Sequence, residues 1–198
     1  MILNISLVII AYLFGSISSA VVVCKLMQLD DPRLHGSNNP GATNVLRLHG
    51  KKAAILTLVG DMLKGLVPVL IAHAFNAPDL YIALVAFAAF SGHIFPVFFG
   101  FRGGKGVSTL IGVLFGMQWT LGLAYVITWL VVAAVFRYSS LAGLIAAAAT
   151  PFFTLWLYPS NYYIASITGM TIILFWRHRS NIKNLLAGKE DKIGAHKA

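Results

Sequence analysis

Residues 107–136 read VSTLIGVLFGMQWTLGLAYVITWLVVAAVF, and this stretch decides how many helices the chain forms. As one α-helix, its 30 residues would extend about 45 Å, whereas the hydrocarbon core of a bilayer is about 30 Å thick. The pair Gln118-Trp119 lies in its middle, and these residue types suit a membrane interface better than a bilayer centre. The stretch therefore predicts two helices with a tight turn near Met117–Thr120. The first, Val107–Gly116, would be a half-helix too short to span the bilayer.

The rest of the chain has the composition of a membrane protein. Of its 198 residues, 58% are hydrophobic and only 11% are charged, whereas soluble domains average about 45–50% apolar and about 25% charged residues. These values exclude a disordered chain, a coiled coil and an ordinary soluble enzyme, and one cysteine excludes a disulfide scaffold. Further spans are predicted at Met1–Val23, Ala53–Phe75, Leu80–Phe99, Leu141–Tyr158 and Tyr162–Trp176.

The first of these spans also resembles a signal peptide. Met1–Val23 lacks a positive leading region, however, and its apolar run is too long for a cleaved signal. We therefore expect it to be a retained helix. The sequence predicts one all-α, polytopic integral membrane domain over residues 1–198, with residues 191–198 as a flexible tail.

The distribution of positive charge decides the helix count. Lys and Arg number 15 against 6 Asp and Glu, a net charge of +9. Such an excess suits nucleic acid, anionic lipid, the inner side of a membrane or an anionic substrate. With residues 107–136 split, 14 of the 15 cations fall on one side, and only Lys64 lies within a span. Without the split, Arg137 and six tail cations fall on the opposite side. Because cytoplasmic loops carry the Lys and Arg residues, we predict about seven transmembrane helices with the N-terminus outside and the C-terminus inside. Nucleic acid is then not needed as a partner.

The first predicted inner loop, residues 34–47, reads LHGSNNPGATNVLR. Its hydroxyl, amide and glycine content can direct several backbone N–H groups into one concavity. Thr43 or Asn44 could cap a short helix whose last turn carries Arg47, and the start of a helix favours anions. On composition alone, a solvated turn is equally compatible with this loop.

The second inner loop combines SGHIFP at residues 91–96 with FGFRGGKGVS at residues 99–108. Three glycines surround Lys105 directly before an apolar helix, which is a composition typical of phosphate-binding loops. It is not a P-loop, because Phe99 and Gly106 occupy positions that the nucleotide motif reserves for Gly and Ser or Thr. The alternative is a flexible loop with two anchoring cations. His93 alone is more typical of a buried structural histidine than of an acid–base group.

Two further polar features leave alternatives open. The basic segment 178–190 is explained by attraction to anionic lipid, although Glu190 contributes nothing to such an anchor. Asp61 and Lys64 are three residues apart on one helix face within a span. An intramembrane ion pair of this kind is a functional candidate, and a structural pair or a snorkelling lysine is at least as compatible.

Together, the three loops resemble the signatures of the PlsY family of bacterial acyl-phosphate:glycerol-3-phosphate acyltransferases. The first is the run GSNNPGATN at residues 36–44, and the second is GHIFP at residues 92–96 with GGKGV at residues 103–107. The third is formed by His178-Arg179, Asn181-Ile182, Leu185-Leu186, Gly188 and Glu190. The resemblance covers nearly the whole chain, with the three signatures in order.

This resemblance implies a membrane enzyme that transfers an acyl group from acyl phosphate to the sn-1 hydroxyl of glycerol 3-phosphate. The products would be lysophosphatidic acid and phosphate, in the first acylation step of phospholipid synthesis. It implies a multi-pass protein of the bacterial inner membrane whose active site faces the cytoplasm. Its partners would be the two substrates, membrane lipid and an acyl-phosphate-producing enzyme. No cofactor is implied, and no residue cluster has the spacing of metal ligands. The His-x-x-x-x-Asp motif of another acyltransferase class is absent from the sequence.

The resemblance also implies roles for individual residues. Ser37, Arg47 and Lys105 resemble the site for the phosphate of glycerol 3-phosphate, in a loop shaped by Asn38, Thr43 and Asn44. The groups around the acyl-phosphate phosphate would be Ser140, His178 and Asn181, with backbone access at Gly103, Gly104 and Gly106. Glu190 would orient the tail or a cation. The catalytic set would then be Ser37, Arg47, Lys105, His178 and Asn181.

Two other classes of protein use similar residues. A transporter or channel for an organic anion would bind its solute with the same cations and would gate with Asp61 and Lys64, although such proteins place polar groups near the midplane. A structural subunit of a membrane complex would leave the three anion-type loops unexplained.

Overall fold

The computed structural model describes residues 1–194 of the chain, and all regular secondary structure in that part is helical. In chain order, the α-helices of the described part are α1 Ile2–Gly15, α2 Ser19–Leu26, α3 Ala42–Ala74, α4 Asp79–Ile94, α5 Val107–Met117, α6 Trp119–Phe136, α7 Ser139–Leu157, α8 Asn161–Arg177 and α9 Arg179–Leu186. A short 3-10 turn, Val97–Phe99, follows α4.

The interior of the bundle is built around α4, which contacts α1, α3, α5 and α8. Phe90 on α4, Tyr125 on α6 and Tyr163 on α8 are among the largest fully buried side chains. The outer faces of the helices remain apolar, as on α6, where Leu130 and Val131 are more than half exposed. An apolar exterior of this kind suits hydrocarbon rather than water.

Four of the described helices are long and apolar enough to cross a membrane, and the bent pair α1–α2 adds a fifth if it counts as one span. The four are α3, α4 with its following turn, α6 and α7. The all-helical membrane fold is therefore confirmed. Seven spans and an outside N-terminus stay predictions.

The predicted break within residues 107–136 is confirmed. Gln118 adopts an extended backbone with φ −159° and ψ 118°, and it separates α5 from α6. The 11 residues of α5 extend only about 16 Å, which is half of the hydrocarbon thickness. This short helix packs closely on α3. At the contact there is no space for a side chain at Gly112, since a Cβ there would overlap with the backbone carbonyl of Met62.

The prediction of one continuous first helix over Met1–Val23 is wrong. The chain is bent by 47° between α1 and α2. The Ser16 hydroxyl donates a hydrogen bond to the Tyr12 carbonyl at 2.8 Å, a contact that often bends helices. Lys64 Nζ donates to the Ile17 carbonyl at 2.8 Å, so the bend is stabilised from a helix distant in sequence.

Helix α3 joins the predicted short loop helix to the predicted span Ala53–Phe75. Gly50 separates the two parts, because its φ of 82° and ψ of −175° are not helical. The expected cap at Thr43 or Asn44 is wrong, since the helix begins after Gly41 without a side-chain cap. The Asn44 side chain is instead bonded within the preceding loop.

The chain after α9 folds back against the loop between α6 and α7. Ile193 N–H donates to the Arg137 carbonyl at 2.6 Å, and Arg137 Nη2 donates to the Ile193 carbonyl at 3.2 Å. The predicted flexible tail, residues 191–198, thus begins with residues that make specific contacts, and residues 195–198 lie outside the described part. A single domain over the whole chain stays a prediction.

Candidate active site

A chain of hydrogen bonds joins four of the predicted site residues at one end of the bundle. Lys105 Nζ donates to Asn181 Oδ1 at 2.5 Å, and Asn181 Nδ2 donates to Glu190 Oε1 at 2.7 Å. The Ser140 hydroxyl donates to the same carboxylate oxygen at 2.6 Å. The second and third sequence signatures, which are 76 residues apart at Lys105 and Asn181, therefore meet in one polar cluster.

Local structure places each member of this cluster. Ser140 lies in the first turn of α7, and Asn181 lies on the inward face of α9. The Ile182 and Leu185 side chains of α9 pack against the main hydrophobic core and hold that helix in place. Gly188, with φ +66°, then reverses the chain and brings Glu190 back to Asn181.

Positive charge is concentrated around Lys105. Burial lowers the pKa of Lys105, Glu190 opposes that effect, and the cations Arg177 and Arg47 lower the pKa further. A half-buried ammonium group with two cationic neighbours gains stability from a bound anion. The cluster therefore has the electrostatic character of a site for a negatively charged group.

Arg177 is a functional candidate that the sequence did not single out. Its Nη2 donates to the Gly103 carbonyl at 2.6 Å, and its Nε donates to the Gly104 carbonyl at 3.1 Å. The guanidinium group thereby fixes the backbone directly before Lys105. The sequence offers no local signal for this role, because Arg177 is one of several cations after an apolar segment.

The three glycines around Lys105 are required by close packing against α4. A Cβ at Gly103 would overlap with the His93 carbonyl, and one at Gly106 would overlap with the Phe90 ring. Gly104 would meet the His93 imidazole in the same way, and its N–H already donates to the His93 carbonyl at 3.2 Å. The structure thus gives these glycines a packing reason, and their predicted contact with substrate stays a prediction.

His178 is 2% exposed and lies at the junction between α8 and α9. Its Nδ1 is 2.8 Å from the Leu174 carbonyl, which can only accept, so Nδ1 carries the proton. Burial lowers the pKa of His178 to about 4, and the nearby cations Lys105 and Arg177 act in the same direction. At neutral pH the ring is therefore neutral, and Nε2 offers a lone pair.

The first signature forms an ordered loop beside the cluster, organised by the buried side chain of Asn44. Asn44 Nδ2 donates to the carbonyls of Pro32 and His35 at 2.8 and 3.1 Å, and Asn44 Oδ1 accepts from Ser37 N–H at 3.0 Å. This network favours a built loop over a freely solvated turn. Ser37, Asn38 and Thr43 are exposed on its surface.

Arg47 connects this loop to the C-terminal segment. Its Nη1 lies 3.5 Å from Asp191 Oδ2, its side chain is 45% exposed, and its charge is felt at Lys105. Lys105, predicted for the glycerol 3-phosphate site, donates to Asn181, predicted for the acyl-phosphate site. The two predicted sites therefore adjoin, and their assignment to the two substrates stays a prediction. Within residues 1–194, no group of three or more His, Cys, Asp or Glu residues is arranged to hold a metal ion.

Comparisons with known proteins point to one family. The family model described as glycerol-3-phosphate acyltransferase matches residues 5–188. A glycerol-3-phosphate acyltransferase of Thioalkalivibrio sulfidiphilus is 55% identical over 194 residues, which cover 98% of this chain and 96% of the relative. One from Hydrogenovibrio crunogenus is 56% identical over 184 residues, which cover 92% of this chain and 88% of the relative.

Solved structures show the same similarity. The crystal structure of PlsY, an integral membrane glycerol 3-phosphate acyltransferase, in its glycerol 3-phosphate form superimposes with a TM-score of 0.92 at 38% identity, covering 96% of each chain. Its lysophosphatidic acid form gives a TM-score of 0.90 at the same identity, covering 96% of this chain and 95% of PlsY.

Proposed function

The chain belongs to the glycerol-3-phosphate acyltransferase family and is an integral membrane acyltransferase, and from this premise we propose its donor, acceptor and products. It transfers a fatty acyl group from acyl phosphate to the sn-1 hydroxyl of glycerol 3-phosphate. The products are lysophosphatidic acid and inorganic phosphate, and the reaction is the first acylation of phospholipid synthesis. Family membership removes the transporter and the structural subunit as alternatives.

The observation that carries the proposal is the cluster Lys105–Asn181–Glu190–Ser140 with its excess of positive charge. Both proposed substrates carry phosphate, so a shared site must offset the repulsion between two anions. Lys105, Arg47 and Arg177 supply the cations for this purpose. The apolar surface of the bundle supports a donor whose acyl chain lies in the bilayer.

We assign the phosphate of glycerol 3-phosphate to Ser37, Arg47 and Lys105. The loop geometry supports this assignment, because Asn44 holds the backbone of Ser37 while leaving its hydroxyl on the exposed surface. Asn38 and Thr43 complete the same surface. Charge-assisted contacts from Arg and Lys to phosphate are among the strongest hydrogen bonds that a protein makes.

The phosphate of the donor is assigned to Ser140, His178 and Asn181, with Gly103, Gly104 and Gly106 as the adjoining backbone. Glu190 is a positioning residue, since it accepts hydrogen bonds from both Ser140 and Asn181 and lies in the field of Lys105. Because Nδ1 is bonded to the Leu174 carbonyl, a neutral His178 can only accept at Nε2, from a hydroxyl of glycerol 3-phosphate or from a protonated phosphate oxygen of the donor.

In the proposed step, the sn-1 hydroxyl oxygen attacks the acyl carbonyl carbon, and the bond from that carbon to the phosphate oxygen breaks. The hydroxyl proton passes to the departing phosphate, so no protein side chain needs to act as a strong base. Acyl phosphate is already activated, and the protein contributes orientation and electrostatic stabilisation of the developing charge.

We further propose that the protein lies in the bacterial inner membrane with its N-terminus outside and its C-terminus and active site on the cytoplasmic side. The distribution of Lys and Arg residues supports this orientation. A water-soluble acceptor and a membrane-embedded donor would meet at that interface. The donor must be supplied by an enzyme that makes acyl phosphate.

The test is a reconstituted reaction. Purified protein in lipid nanodiscs, given acyl phosphate and glycerol 3-phosphate, should release one phosphate for each lysophosphatidic acid formed, as measured by phosphate assay and mass spectrometry. Acyl-CoA in place of acyl phosphate is the matched donor control. Product formation from acyl-CoA alone would overturn the proposed donor.

A further inference from the structure

A second polar cluster, formed by Asp61 and Lys64 of α3 and His93 of α4, lies inside the bundle. None of the three residues is more than 5% exposed. Lys64 Nζ is 2.8 Å from Asp61 Oδ1, and His93 Nδ1 is 3.5 Å from the same oxygen. We call these three residues the buried triad.

The buried triad needs an explanation beyond stability. Moving two charges out of water costs free energy, and apolar side chains of similar volume in the same place are often equally or more stabilising. A buried ion pair is therefore weak evidence of a stabilising role. What the triad does offer is a connection between elements. Lys64 reaches the Ile17 carbonyl at the bend between α1 and α2, and His93 reaches the loop that carries Lys105.

The contact between His93 and this loop is direct. The imidazole lies so close to Gly104 that a Cβ at that position would overlap with Nε2 and Cε1. The Gly104 N–H also donates to the His93 carbonyl at 3.2 Å. Gly104, the residue immediately before Lys105, therefore packs against the His93 ring, and its carbonyl accepts a hydrogen bond from Arg177.

We propose that His93 is a positioning residue for Lys105, oriented by the Asp61 carboxylate and acting through Gly104. Asp61 Oδ1 faces the ring 3.5 Å from Nδ1, and the Nε2 edge lies against the backbone of Gly104. The inference rests on the proposed function, in which Lys105 binds the phosphate of glycerol 3-phosphate. His93 does not itself contact the substrate.

The first test separates substrate binding from turnover. His93→Ala should raise KM for glycerol 3-phosphate about tenfold, because a small displacement of a binding group weakens binding strongly. The kcat and the KM for acyl phosphate should stay within about threefold, since the lost interaction is made equally in the ground state and the transition state. If His93 were the general base, His93→Ala would instead lower kcat.

The second test uses a double-mutant cycle. Gly104→Ala directs a methyl group into the His93 ring and should lower kcat/KM by about thirtyfold or more, a coupling of the size found between contacting residues. In the His93→Ala background the ring is gone, and the same substitution should cost less than about threefold. Independent effects of the two substitutions would overturn the proposed contact.

The matched control is His73→Ala, which removes an exposed histidine in the last turn of α3. It should leave the kcat and the KM values for both substrates unchanged. His93→Gln retains a side-chain N–H and should return KM towards the wild-type value. It also carries the test if His93→Ala is not recovered as a monodisperse protein.

An unchanged KM for glycerol 3-phosphate in every His93 variant would overturn the inference. The proposed function fails separately, if the wild-type protein releases no phosphate or if Lys105→Ala is fully active.

Discussion

The two polar clusters of this protein contain similar residue types and differ in how their charges are balanced. In the buried triad, the Lys64 ammonium is matched by Asp61 and by the Ile17 carbonyl, so its charge is neutralised within the protein. The other cluster consists of Lys105, Asn181, Glu190 and Ser140 with the nearby cations Arg47 and Arg177, and we call it the active-site cluster. Its three cations outnumber the neighbouring carboxylates Glu190 and Asp191.

This difference teaches what separates a binding site from an internal support. A closed set of charges gains little from a ligand, whereas a set with excess positive charge gains from any phosphate that enters. The residues of the active-site cluster lie at or near the ends of helices, with Lys105 before α5 and Ser140 in the first turn of α7. The three residues of the buried triad, in contrast, are almost inaccessible to solvent.

The largest expected effect is the loss of a cation from the active-site cluster. Lys105→Ala and Arg47→Ala should each lower kcat/KM by about 10³-fold or more, because each removes a charge that offsets two phosphates. Phosphate release measures this effect. Lys183→Ala is the control, since Lys183 is an exposed cation of α9. Full activity in Lys105→Ala would mean that the excess charge serves orientation in the membrane only.

The next largest effect concerns the balance within the buried triad. Asp61→Ala leaves Lys64 buried without its counter-charge, which typically costs about 3–5 kcal/mol. We expect a clear fall in the thermal unfolding midpoint measured in detergent. The double variant Asp61→Ala/Lys64→Met removes both charges and should recover part of this loss. A double variant less stable than the single one would show that the pair is not the unit of stability.

How far the sequence predicts these features depends on the range of the interactions involved. The break at Gln118 was predictable because Gln and Trp within an apolar run are a local signal. The bend near Ile17 was not, since the group that stabilises it, Lys64, is 47 residues away. The same distinction applies to Arg177, whose role depends on two backbone carbonyls 73 and 74 residues distant.

The active site follows the same rule. Glycines around a lysine indicated an anion site, and the structure places Lys105 among polar and charged groups. The packing of Gly103 and Gly104 on His93 was not predicted, because it is a tertiary contact that no spacing reveals. The motifs therefore predicted an anion site, and the fold supplied residues that support it.

A smaller effect is expected from the loss of the two hydrogen bonds by which Arg177 holds the backbone before Lys105. Arg177→Lys keeps the positive charge and cannot reproduce the forked pair of hydrogen bonds to Gly103 and Gly104. We expect kcat/KM to fall about 10- to 100-fold, a loss typical of a catalytic group displaced by about 1 Å. Arg179→Lys is the matched control on an exposed neighbour. Equal activity in both variants would indicate that Arg177 contributes charge alone.

The smallest effect comes from His178, whose pKa of about 4 lies below the ordinary value of 6.5. Because the folded state binds this proton less readily than the unfolded state, stability is fully present above pH 6.5 and declines as the pH falls towards 4. Between pH 7.5 and 5.5 the expected loss is about 1 kcal/mol, and His178→Asn should not show it. Thermal unfolding at both pH values measures the difference. If the wild-type and the variant proteins lose the same stability, folding does not lower the pKa of His178.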